Sequence, residues 1–517
     1  MRPADRTTID SLPAWTGGAV AVVLVAAVAA GVVLRFWTRS DLWLDEALTV
    51  NISRLPLSQI PGALRHDGSP PLYYFLLHLW MRAFGTSDGA IRALSGVFGM
   101  VSLPMAYLAG RRLAGRTVGW TALALVATSP FAVRYSTEAR MYMMIVALSL
   151  AGFLAVDAAL RRPDPLRLVA VGVVSGLLAL SHYWSLYLIA ATVVLLGWLW
   201  RHEGGRDPRA RAAFRSLVAV VAGTVVFLAP WARIMVFQLR HTGTPWSGRA
   251  SFSAMVNSVS DFAGGASSTG RALGLLFFAL AGLGLFGAAV DRVRVDLDLR
   301  TRPLGRSMAW LSFGTLGLGV VTGYVAHSAY TARYTAVGFA FFILLVAVGV
   351  TTLADARVRY LVVGAAVAFG LGSSAPNVTT NRTQAAQIAR ALDARGGPGD
   401  VVVYCPDQLG PGTARLVTGR FVQITYPRAT GPQRVDWVDY AKVNAASQPA
   451  QFARAAIARA GPGHSVWLVF SPDYLTIGDK CTSLEADLAA LRPHSRAFVA
   501  QSSKYFEHAS LDRFWPS

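Results

Sequence analysis

Charge is scarce in this chain. Only 15% of its 517 residues are Asp, Glu, Lys or Arg, against 54% hydrophobic, and the mean hydropathy is +0.43. That much apolar surface exceeds what a single soluble core can bury, which excludes an ordinary soluble enzyme and predicts a polytopic membrane protein. Lysine is nearly missing, occurring only at 442, 480 and 504, so the net charge of +20 belongs to arginine. No basic stripe interleaved with aromatics accompanies that charge, and nucleic acid is excluded as a partner. Cysteine is limited to Cys405 and Cys481, whose spacing and lack of histidine neighbours do not form a metal site. A disulfide is the reading if the C-terminal part lies outside the cytoplasm, and two unpaired thiols the alternative. There is no phosphate-cradling glycine motif, Gly410-Pro411-Gly412 being a turn, and no repeat of fixed period.

What is present is a series of apolar segments separated by arginine runs. The runs Arg111 to Arg116, Arg161 to Arg167, Arg201 to Arg215 and Arg292 to Arg306 fit cytoplasmic loops under the positive-inside rule. Arg2 and Arg6 precede the first apolar run, Gly17 to Leu34, which is long enough to span a bilayer and is read as an uncleaved first helix entered from the cytoplasm. Pro70 to Phe84 is apolar but short and carries His78 and Arg82. Counting it as a span would move Arg111 to Arg116 outside, so an interfacial or re-entrant helix is the better expectation. The spans are then about 17–36, 90–110, 117–134, 141–160, 166–182, 184–200, 216–233, 271–290, 307–326, 335–353 and 359–375. About eleven helices put the remaining chain on the outer face.

Residues 1–375 are therefore expected to form a transmembrane domain with outer loops at 37–89, 133–142 and 327–335, and residues 376–517 a small extracytoplasmic α/β domain. In the latter, apolar runs such as Val401 to Tyr404 and Val466 to Phe470 alternate with the Ala/Arg helical patterns of 384–395 and 450–459.

The outer loops hold most of the unusual polar residues. Leu42-Trp43-Leu44-Asp45-Glu46-Ala47 places two acids where the first helix leaves the bilayer, beside His66 and Asp67. Such acids are costly to desolvate, and where they persist beside hydrocarbon they bind a cation, accept a proton or hold a polar ligand. A later loop carries Glu138, Arg140 and Tyr142, a short turn carries His182, and the loop near 330 carries His327, Tyr330, Arg333 and Tyr334. Arginine grips phosphate through a bidentate fork at any relevant pH, so Arg140 and Arg333 suit a lipid phosphate and the anion it becomes on leaving. A carboxylate such as Asp45 suits removal of a proton from an attacking hydroxyl. Acidic loops leave a divalent metal possible as a cofactor, but these spacings specify none.

Four blocks then resemble a known family: Leu42 to Ala47, Ser69-Pro70-Pro71-Leu72-Tyr73-Tyr74, Tyr135-Ser136-Thr137-Glu138-Ala139-Arg140-Met141-Tyr142, and Ala332-Arg333-Tyr334. Across about residues 15–350 their order is similar to that of the bacterial C-superfamily membrane glycosyltransferases, related to dolichyl-phosphate-mannose protein mannosyltransferases and lipid A aminoarabinose transferases. The resemblance implies an inverting transfer of a sugar, a mannose-like hexose or a pentose, from a polyprenyl-phosphate donor to a cell-envelope glycan, lipid or protein at the outer face of the cytoplasmic membrane. It implies Asp45 as catalytic base with Glu46 beside it, and Arg140, Arg333 and Tyr142 at the donor phosphate. Glu138, His66, His182 and Tyr334 take supporting places. The sequence departs from the commonest pattern before Pro70, where Asp67-Gly68-Ser69 replaces a directly preceding histidine. Two other classes compete: a flippase or transporter of lipid-linked sugars, which predicts ionisable residues at mid-membrane, and a non-catalytic glycan-binding scaffold, which predicts that Asp45 is dispensable.

Overall fold

The structure is a computed structural model that describes residues 14–202, 207–244, 250–326 and 330–516; Arg2, Arg6, Arg249 and His327 lie outside the described residues. Among the described residues eight helices are long and apolar enough to cross a membrane, from Asp88–Ala114 to Ala356–Thr379. The other three expected spans are also helices: the first ends at Leu34, and the others are Arg116–Thr128 and Pro165–Ser181. Arg116–Thr128 is short because Ser129 starts a new helix at Pro130, its hydroxyl accepting the Ala132 N–H at 3.3 Å. The segment read as interfacial is a 13-residue helix, Leu72–Phe84, shorter than a span.

Two expected spans have different ends. The segment expected at 216–233 begins at Pro208 and continues through a 3₁₀ turn at Ala229–Trp231 to His241, a 34-residue rod. This is longer than a bilayer requires, and its excess carries Gln238 beyond the helical bundle. The one expected at 271–290 stops at Phe286, where the chain turns into an antiparallel ribbon of β1 (Gly287–Ala289) and β2 (Val295–Leu297).

The pivot of the bundle is Ala336–Val350, in which every residue is buried. A helix apolar all round belongs in the middle of a bundle. Its neighbour Ser268–Phe286 approaches so closely that a Cβ at Gly349 would lie 1.8 Å from the Leu280 carbonyl oxygen, the small-residue contact typical of membrane helices. Arg333 sits in the 3₁₀ turn Ala332–Thr335 that opens this rigid element.

After Thr379 the chain forms a five-stranded sheet of order β4-β3-β5-β7-β6, comprising β3 (Val401–Cys405), β4 (Val422–Thr425), β5 (Val466–Phe470), β6 (His494–Val499) and β7 (Ser510–Trp515). β4, β3 and β5 are parallel, whereas β7 runs antiparallel to β5 and to β6. Cys405 and Cys481 are joined by a disulfide, both within the sheet's buried apolar cluster. This C-terminal part is seated on the loops at one end of the helical bundle. Arg415 donates to Asp88 at 2.7 Å, the Trp437 N–H donates to the His66 carbonyl at 3.0 Å, and the Trp43 and Phe506 rings meet edge-on.

Candidate active site

A cavity of about 890 Å³ lies between the loops at one end of the helical bundle and the C-terminal part. Asp45 lines it from the first turn of the helix Leu44–Ser53. The preceding residue, Trp43, has no side chain able to accept from the free backbone N–H groups of that turn. Glu507, 463 positions later, does so instead, its carboxylate accepting the Leu44 N–H at 3.0 Å. Burial, reinforced by the nearby charges of Asp45 and Glu46 and opposed by bonds from Thr383 and Leu44, raises the Glu507 carboxyl from 4.5 to about 7.

Asp45 faces Arg333, whose Nη2 lies 3.5 Å from Oδ2; each side chain is 17–18% exposed. The Arg333 guanidinium also stands 5.7 Å from the ring centres of Trp43 and Tyr334. Arg140 lines the same cavity and is buried, with Nη1 donating to the Thr49 hydroxyl at 2.8 Å and to Tyr74 at 3.3 Å. Its Nε has no hydrogen-bond partner among the described residues. Ser95 fixes its backbone by donating to the Arg140 carbonyl at 2.9 Å. Three arginines, Arg134, Arg140 and Arg333, thus line the same cavity as Asp45.

Glu138 reaches the cavity 1% exposed, 3.3 Å from Arg134 and 3.8 Å from Arg382, yet neither of its oxygens has a hydrogen bond among the described residues. Burial raises its carboxyl, against the pull of both arginines. His182 also lines the cavity, its Nδ1 accepting the Trp184 N–H at 3.1 Å and its ring 4.5 Å from Tyr334. Burial, with Arg140 and Arg333 nearby, holds the His182 ring neutral, its pKa lowered to about 3.

Three expected site residues stand elsewhere. Glu46 is fully buried and does not line the cavity: Arg92 Nε and Nη2 grip its carboxylate at 2.7 and 2.6 Å, and it accepts the Ala139 N–H at 2.9 Å. Burial alone would raise that carboxyl, but Arg92 holds it below the usual range. A carboxylate so saturated ties the loop of Arg140 to the helix of Asp45 and has no room for a substrate proton. Tyr142 is buried behind the wall, its ring 4.9 Å from Tyr135. His66 points to the C-terminal part, where Nδ1 pairs with Asp436 at 2.8 Å with half the histidine exposed.

Several participants carry no motif. Asp67 enters the cavity because Gly68, at φ +88°, ends the helix Ile60–Asp67 in the left-handed conformation that favours glycine. Its buried carboxyl is raised by desolvation, with Tyr74 donating to it at 2.8 Å. Arg382 donates to the Thr137 carbonyl at 3.0 Å and holds the Glu138 loop. The C-terminal part adds Gln408, Trp437, Asp473, Tyr474, Phe506 and Glu507 to the wall. Among the described residues no group of three or more His, Cys, Asp or Glu is arranged to hold a metal ion.

Comparison with known proteins gives the same architecture. The family model for dolichyl-phosphate-mannose-protein mannosyltransferases matches residues 68–232. No curated protein matches the chain by sequence. The fold is similar to that of ArnT from Cupriavidus metallidurans, both bound to undecaprenyl phosphate (TM-score 0.55, 14% identity, 96% of this chain and 98% of that one) and in the apo state (TM-score 0.56, 13% identity, the same coverage). It is also similar to that of the archaeal oligosaccharyltransferase AglB from Archaeoglobus fulgidus in complex with an inhibitory peptide and a dolichol-phosphate, at TM-score 0.51 and 12% identity over 95% of this chain and 74% of that one. The fold is the one that these proteins share.

Proposed function

We propose that this chain is an inverting glycosyltransferase that moves a sugar, a mannose-like hexose or a pentose, from a polyprenyl phosphate to an acceptor at the outer face of the cytoplasmic membrane. Its N-terminus is then cytoplasmic, and residues 376–517 form an extracytoplasmic domain. The observation that carries the reading is the placing of Asp45 in one cavity with Arg140 and Arg333, inside this fold. Asp45 is the base: as the acceptor oxygen attacks the anomeric carbon, Asp45 takes its proton and the bond to the phosphate oxygen breaks on the opposite side. The leaving polyprenyl phosphate carries its developing charge into the arginines, which stand ready in a site of low dielectric. Arg333 stands 3.5 Å from Asp45; a donor phosphate bound to Arg333 competes for it and frees the carboxylate to act. Glu46, Arg92 and Arg382 are positioning residues.

The test is Asp45→Asn in membranes supplied with radiolabelled polyprenyl-phosphate mannose and pentose donors. The variant should insert and accumulate normally while transfer drops by about 10² to 10⁴, the usual worth of a general base. Transfer at close to the native rate would remove Asp45 from the reaction.

A further inference from the structure

The cavity has two unlike walls. The membrane-helix part contributes the arginines Arg134, Arg140 and Arg333 together with the carboxylates Asp45, Asp67 and Glu138, whereas the C-terminal part contributes Asp473 and Glu507 and, among those described, no Lys or Arg. A phosphate finds its arginine partners on the first wall alone.

The second wall is built for a ligand of its own. Phe506 and Leu475, 65% and 74% exposed, present large apolar surfaces at the cavity. Behind Phe506 the Trp43 ring, 4% exposed, meets it edge-on with the ring centres 5.2 Å apart. Asp473 adds an exposed carboxylate held by the His508 Nε2 at 2.9 Å.

The topology gives an independent argument. From β3 the chain moves to β4 on one side and then crosses to β5 on the other. Open parallel sheets bind ligands at such a reversal, outside the carboxyl ends of the strands. The segments leaving β3 and β5 there carry Gln408 and Asp473-Tyr474-Leu475, all of which line the cavity.

Building on the proposed reaction, we infer that the C-terminal wall, centred on Asp473, Leu475 and Phe506, is the acceptor subsite and takes a neutral saccharide. A sugar ring offers C–H faces for Phe506 and Leu475 and hydroxyl donors for Asp473, and carries no negative charge to oppose that carboxylate.

Binding tests this without turnover. The full-length protein in detergent is titrated with neutral mannose, galactose and arabinose trisaccharides, a phosphorylated glycolipid and a Ser/Thr peptide, following tryptophan fluorescence. At least one neutral trisaccharide should bind, and Asp473→Asn and Phe506→Ala should each weaken it about tenfold. Leu491→Ala, at an exposed C-terminal position away from the cavity, should leave it unchanged. Both cavity substitutions are at exposed side chains, and an intact disulfide with monodisperse elution shows that the variants remain folded. Neutral saccharide binding indifferent to both variants, or tighter binding of the phosphorylated glycolipid or the peptide, would overturn the subsite. Failure of the reaction reading looks different: Asp45→Asn retains transfer while saccharide binding stays intact.

Discussion

Replacing Glu46 with glutamine separates a residue that does chemistry from one that holds the site together. The native carboxylate is fully buried and paired to Arg92, itself 5% exposed, through bonds of 2.7 and 2.6 Å. In the Glu46→Gln variant the amide oxygen would still accept the Ala139 N–H and Arg92 Nε, which share one carboxylate oxygen, but its NH2 would face the Nη2 donor. Arg92 would keep that bond and the Ser40 and Asp41 carbonyls, at 2.5 and 3.0 Å, while its buried charge lost its counter-charge. Removing one partner of a buried pair costs about 3–5 kcal/mol. For a chain of this size that corresponds to a Tm lowered by on the order of 5 °C. Arg92→Met should cost a similar amount. The double variant Glu46→Gln/Arg92→Met leaves no unpaired buried charge and should cost less than the sum of the singles by at least about 2 kcal/mol. The assay is thermal unfolding of detergent-solubilised protein followed by tryptophan fluorescence, paired with transfer kinetics well below the transition. Glu46→Gln that unfolds like the native protein while transfer falls about a thousandfold would refute the positioning role, because a loss of chemistry without a loss of stability is the mark of a group acting on substrate.

Arg333→Ala should weaken binding of the donor and of free polyprenyl phosphate by about 10–100-fold, the worth of a charge-assisted contact; unchanged competition by polyprenyl phosphate would remove Arg333 from the phosphate site. Cys405 and Cys481 should give no reactive thiol in denatured, unreduced protein, and Cys405→Ala/Cys481→Ala should lose about 4 kcal/mol of stability, because the bridge spans 76 positions; a count of two thiols would argue against the bridge. Glu507 and Asp407, each raised by burial to about 7 from 4.5 and 3.8, hold their protons more tightly folded than unfolded. Their contribution to stability should therefore be greatest below about pH 4 and fall as pH rises to about 7, by up to about 3 kcal/mol for Glu507, and Glu507→Gln should flatten that slope; a native Tm with no downward contribution from these groups between pH 5 and 7, seen as identical slopes for the native protein and Glu507→Gln, would contradict it.

The helices were legible in the sequence because a bilayer demands long apolar runs and arginine marks one side of it. Their ends were less so: the run at 271–290 is apolar enough to continue, and only the ribbon beyond Phe286 shows where it stops. Asp45, Arg140 and Arg333 were legible as candidates because each is an expensive side chain next to an apolar run, and the structure brings all three to one cavity. The division within Asp45-Glu46 was not, since successive helical residues are turned about 100° from each other, and sequence does not say which faces the cavity. Arg92 decides it: a guanidinium in the first turns of Asp88–Ala114 needs a buried counter-charge, and Glu46 supplies it.

The C-terminal contribution was invisible for a different reason. The helix of Asp45 starts with free backbone N–H groups and no capping side chain of its own, a local deficiency that the sequence does show at Trp43. Its remedy comes from Glu507, in a segment without any motif and 463 positions away. The same segment is bonded to Arg382, whose guanidinium holds the Thr137 carbonyl of the Glu138 loop. The helix of Asp45 and the loop of Glu138 and Arg140 are thus both anchored to residues after the last membrane helix. Separating the C-terminal part from the membrane helices would remove the cap from the first and the tie from the second together, so in the proposed reaction acceptor recognition and catalytic geometry are coupled through one element.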